Sequence, residues 1–94
     1  MREFRVSAEG NVNSLAAAVA GVFEDDRTQQ ITLQCIGPRS VNNAVKAVAT
    51  ARNLMSKEGI DIVLVMSPEF KIKHLRGSDV TAIDLMVRAD DQTN

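Results

Sequence analysis

Apolar positions along the chain switch between a period of two and a helical period. In "EFRVSA", residues 3–8, Phe4 and Val6 alternate with polar neighbours, as a half-buried strand requires. "EGNVN" then supplies Gly10 and two asparagines, and Asn13 is placed to cap a helix that begins at Ser14. On that helix Leu15, Val19 and Val22 share a face, with Phe23 beside them, while Ala17, Ala20 and Gly21 make a small-residue side. "EDDRTQQ" ends it. Glu24, Asp25 and Asp26 oppose the helix dipole there, which predicts fraying.

"ITLQCIG", residues 31–37, alternates Ile31, Leu33 and Cys35 against Thr32 and Gln34 and reads as a second strand. After the turn "GPRS" a second helix is expected from Val41 to Lys57, with Val41, Ala44, Val45, Val48, Ala51 and Met55 on its buried face. Asn42, Lys46, Thr50, Asn53 and Lys57 fall within about 40° of one line on its opposite side. Gly59 is the expected C′ residue. "IDIVLVM" is so continuously apolar that it predicts a central strand covered on both faces. Beyond Pro68, "FKIKHLR" alternates, "GSD" reads as a hairpin turn, and "VTAIDLMVR" pairs back as the last strand. The element order is β-α-β-α-β-β, with strands expected near 3–7, 30–36, 60–66 and 80–88. A short repeat accompanies it: "VNSLAAAV" and "VNNAVKAV" share Val12/Val41, Asn13/Asn42, Ala18/Ala47 and Val19/Val48.

Composition narrows the chemistry. The chain has 94 residues with three Phe and no Tyr or Trp, so aliphatic side chains must build the core. Aromatic stacking platforms for bases are nearly absent. One cysteine allows no internal disulfide, and neither a leader pattern nor a membrane span is evident, which predicts a cytoplasmic protein that does not enter a membrane. The third strand needs cover that two helices on one face do not supply, so a homo-oligomer, a dimer or larger, is expected.

Catalysis is not expected. Cys35 sits at a core-periodic strand position, and His74, the single histidine, lies in a charged hairpin. No His/Cys grouping has zinc spacing, "GPRS" lacks the spacing and lysine of a P-loop, and no cofactor is implied.

Charge supplies the positive signal. The net charge is −1, but residues 36–76 carry seven basic and three acidic side chains, between acidic ends. In the turn, Gly37 permits a tight bend and Ser40 is placed to cap the helix at an amide near Ala44. The first-turn amides, Arg39 and then Asn42 and Lys46 line one face suited to an anion such as a phosphate.

These stretches also carry a resemblance. "VSAEGNVNSLAAAVAGVF", "CIGPRSVNNAVKAVATAR", "GIDIVLV" and "TAIDLMV" resemble the stage V sporulation protein S family over about residues 3–88. That family resembles the Alba-like fold, an α+β class, two-layer α/β sandwich with two helices on one sheet face. The resemblance implies one Alba-like domain over residues 1–89, and the terminal residues themselves predict a disordered acidic tail, 90–94. It also implies a regulatory role in sporulation or a related developmental process, with no known reaction. Alba proteins are nucleic-acid binders and usually dimers, contacting the backbone through a basic turn before the second helix and a β3–β4 hairpin. Arg39 matches the basic turn position, Asn43 stands where Alba chains often carry Lys or Arg, and the tip "HLRGSD" reads as short. The implied nucleic-acid contacts, to DNA or RNA, are Arg39, Ser40, Asn42, Asn43, Lys46, Lys71, Lys73 and Arg76. The competing reading is a protein-interaction module that oligomerises and binds no nucleic acid.

Overall fold

The computed structural model describes residues 2–91. The elements are β1 (Arg2–Val6), α1 (Val12–Asp25), β2 (Gln30–Cys35), α2 (Pro38–Lys57), β3 (Ile62–Leu75) and β4 (Ser78–Asp91), in the expected β-α-β-α-β-β order. They form one four-stranded sheet, β1-β2-β4-β3, in which β1 and β2 are parallel and the other pairings antiparallel. Each β1 residue pairs with the β2 residue 29 positions later, from Arg2 with Ile31 to Val6 with Cys35. That offset is the one that aligns the two "VN…AV" segments, so the repeat corresponds to two neighbouring strand–helix units.

Both helices pack on one sheet face. Ala16, Val19 and Phe23 of α1 and Ala44, Ala47, Ala51 and Met55 of α2 join Ile31, Leu33, Cys35 and Val87 in one core in which each is fully buried. Alanines along α2 let the helices come close without a bulky filler. Val45, expected in the core, is 42% exposed, and Ala47 is buried in its stead.

The helix ends explain the shifted boundaries. Asn11, not Asn13, caps α1: its Oδ1 accepts from the amides of Asn13 (2.9 Å) and Ser14 (3.2 Å), so the helix begins at Val12. At the other end the helix runs to Asp25, and the Asp26 carboxylate accepts from the Thr28 hydroxyl (2.6 Å) and amide (2.9 Å) in the turn that follows. Those bonds, the hydroxyl's first, hold its pKa below the ordinary carboxylate value. Beside it, a hydrogen bond to Glu58 at the end of α2 raises the pKa of Glu24. Helix α2 begins three residues before the expected Val41, because Pro38 fits the first helical turn and Gly37, at φ +88°, turns the chain into it. At its far end Gly59 takes φ +80° and the Ile60 amide donates to the Met55 carbonyl at 3.0 Å, the expected glycine C-cap.

The hairpin departs most from expectation. β3 is an edge strand, not a central one, and Val63, Leu64, Val65 and Met66 are each half-buried. Pro68 does not interrupt it. An edge strand has one unpaired side, so a residue without an N–H is tolerated there. The turn is Arg76–Gly77 rather than Gly77–Ser78–Asp79: both residues have positive φ (50° and 79°) between the paired Leu75 and Ser78, a type I′ geometry. The hairpin is long, not short. β4 leaves β2 after the Cys35–Ile83 pair, and five further pairs, Lys71–Ala82 to Leu75–Ser78, run on as a free two-stranded arm of roughly 17 Å. Asp90 and Asp91 of the expected tail pair with Val63 and Ile62 in the sheet, and 92–94 lie outside the described residues.

Candidate nucleic-acid interface

The turn between β2 and α2 and the hairpin arm meet at one end of the molecule. Between them and the end of β1 is a cleft of about 460 Å³, lined among others by Arg5, Ser7, Gln34, Ile36, Ser40 and Lys73. Two parallel strands stop here while the antiparallel hairpin continues, so the topology itself leaves the gap.

The structure sorts the expected contact residues into groups. Asn42 and Lys46 are exposed on α2, and neither makes an ion pair among the described residues. Arg39 is also exposed, but its guanidinium meets Glu9 of the β1–α1 loop at 2.9 Å. Both side chains are more than two-thirds exposed, so the pair is screened and an incoming phosphate can compete for the arginine at little cost. Lys71 pairs with Glu69 on its own strand at 2.9 Å, which raises its pKa. Lys73 is half-buried at the cleft, and Arg76 stands at the arm's tip. His74 and Asp79 form a cross-strand pair beside it.

Two of the expected residues face inward. Ser40 is 3% exposed, and its hydroxyl donates to the Ile36 carbonyl at 2.9 Å instead of capping an amide near Ala44. It belongs to the third position of a helix that starts at Pro38, where a serine bonds back to the residue four before it. Asn43 donates from Nδ2 to the carbonyls of Ser7 and Ala8, both at 3.2 Å, and so clamps the β1–α1 loop to α2.

Sequence reading missed Arg5 and Gln34. Both lie on strands that alternate too regularly to suggest anything beyond an outward face, and only the arm's overhang turns that position into a cleft wall. Asp84, also missed, is 6% exposed on β4, and its Oδ1 is buried without a hydrogen-bond partner among the described residues. Cys35 is fully buried in the core, and burial, then the charge of Asp84, pushes its thiol up to about 11. Among the described residues no group of His, Cys, Asp and Glu has the arrangement of a metal site, and no helix is long and apolar enough to cross a membrane.

Two helices on one face of a β1-β2-β4-β3 sheet with an overhanging β3–β4 arm define an Alba-like fold. The solved structure of Alba from Thermoplasma volcanium is similar with a TM-score of 0.63 at 15% identity, over 92% of this chain and 98% of that one. The sequence model of stage V sporulation protein S matches residues 2–90, and the chain belongs to that family. Membership implies a role in sporulation.

Proposed function

We propose that the protein is a non-enzymatic regulator that acts in sporulation or a related developmental process by binding the backbone of DNA or RNA. The surface comprises Arg39, Asn42 and Lys46 on α2 with Lys71, Lys73 and Arg76 on the arm, while Ser40 and Asn43 hold the turn that presents them. One observation carries this reading: the shared cleft, where Lys73 of the arm lines the same wall as Ile36 and Ser40 of the turn, so two basic elements far apart in sequence converge at one end. Phosphate contacts give affinity without reading sequence, which fits a surface made mostly of flexible cations. The Alba-like fold adds support by analogy only.

Replacing Arg39 and Lys46 by Ala tests the reading by fluorescence anisotropy on labelled duplexes. Binding should weaken and its salt slope should fall by about one unit per lost contact, with the fold intact. An unchanged slope would transfer the function to the interaction-module reading.

That second reading has its own observation. Phe70, at the base of the arm, is 77% exposed and Ile72, on it, 68% exposed, both on the helix-side face next to the open edge of β3. An exposed apolar edge of this kind is a docking surface that soluble proteins seldom leave uncovered. We assign it to a second copy of the chain, so that a homodimer or larger homo-oligomer displays the basic surface more than once. Light scattering of wild type and a Phe70→Ser, Ile72→Ser variant decides it: an oligomer reduced to monomer supports the assignment, and a monomeric wild type contradicts it.

A further inference from the structure

The cleft differs from the basic surface around it in what its charges face. Arg39, Lys71 and His74 each have an acidic partner. Arg5 and Lys73, from different strands, line the cleft with no salt bridge among the described residues, and no carboxylate stands among the described residues lining it. Its remaining wall is mostly aliphatic, with Val6, Ile36 and Leu75. Gln34 completes it: its Nε2 donates to Glu3 Oε2 at 2.6 Å, which leaves its Oε1 as an acceptor. A volume of about 460 Å³ is that of a small-ligand site.

We infer that the cleft binds a single nucleotide unit bearing a phosphomonoester. A phosphate dianion matches two convergent, un-neutralised cations better than a monoanion does. The aliphatic wall accepts the sugar and the face of a base, and Gln34 Oε1 accepts from a base N–H. The same chemistry comes either as a free nucleoside 5′-monophosphate or as the 5′-phosphorylated end of a strand. The site shares Lys73 with the backbone-binding surface proposed above, whereas Arg5 and Gln34 lie outside that surface, so Arg5→Gln tests this site apart from it.

The test is an NMR titration of the full chain, following the backbone amides of Arg5, Ser7, Gln34, Ile36 and Leu75. The probes are the four nucleoside 5′-monophosphates, adenosine, inorganic phosphate, and a short oligonucleotide with and without a 5′-phosphate. Saturable shifts confined to these residues with a monophosphate support a free ligand. Shifts only with the 5′-phosphorylated oligonucleotide support the strand end. Arg5→Gln and Lys73→Gln should each weaken binding by about 10-fold or more, while Arg52→Gln, at an exposed α2 residue that does not line the cleft, leaves it unchanged. No saturation at millimolar probe, or equal affinity for inorganic phosphate alone, overturns the inference.

Discussion

Asn43→Ala separates a residue that binds from one that holds the binding surface in place. Its amide donates to two adjacent carbonyls, of Ser7 and Ala8, at 3.2 Å each, across 36 and 35 residues of chain. A net intramolecular hydrogen bond is worth about 0.5–1.5 kcal/mol, and with one of these two exposed the pair is worth about 1–2 kcal/mol. Alanine returns about 0.5 kcal/mol through helix propensity. The net loss is about 1 kcal/mol, which for a chain of this size lowers Tm by about 4–8 °C. Asn42→Ala is the matched control: it is the neighbouring asparagine on the same helix, exposed, and gains the same propensity with no clamp to lose. Thermal unfolding by circular dichroism should therefore place Asn43→Ala well below wild type and Asn42→Ala slightly above it. If the two variants melt together, the clamp contributes nothing and Asn43 returns to the list of direct contacts.

Three further outcomes follow from particular residues. Arg76 holds φ +50° in a type I′ turn, so Arg76→Gly should stabilise the hairpin by about 1 kcal/mol in urea unfolding while removing one cation from the arm. Asn11→Ala removes a cap that accepts two amides and should cost about 1 kcal/mol, seen as a lower urea midpoint with unchanged m. Cys35 is protonated more tightly when folded, its pKa rising from 9.0 to about 11, so stability is unaffected below pH 9 and falls as the unfolded thiol ionises. The loss reaches about 2 kcal/mol by pH 11 and should be missing from the pH slope of Cys35→Ala, whose stability starts lower; parallel pH profiles would refute it.

The strand–helix order and the core of the first two strand–helix units were legible because each follows a single period: Ile31, Leu33 and Cys35 alternate, and Ala44, Val48, Ala51 and Met55 recur at helical spacing. Ends were harder to read. Asn11 and Asn13 are equally good caps by type, and only the loop geometry after β1 chooses the first. The position of β3 was misread because a continuous apolar run signals burial without saying by what. In the monomer the run is covered on one side by β4, and its apolar continuation at Phe70 and Ile72 stays exposed. The arm was underestimated because Pro68 reads as a break, and only its edge position makes it harmless. For the site, the basic residues were visible as a charge excess, but their pairing was not. Glu9 lies 30 residues before Arg39, and the carbonyls that occupy Asn43 are farther still, 36 and 35 residues before it.

The central claim is that cations on α2 and the arm contact phosphates, and the salt dependence of binding measures this directly. Lys46, Lys73 and Arg76 have no acidic partner among the described residues, whereas Arg39 and Lys71 must first give one up. Anisotropy titrations of a labelled duplex at a series of salt concentrations should give a log–log slope of about −2.7 per chain if the three unpaired cations bind. It should steepen toward about −4.5 if Arg39 and Lys71 exchange their carboxylates for phosphates. A slope near zero, or no binding to either DNA or RNA at low salt, would contradict the account.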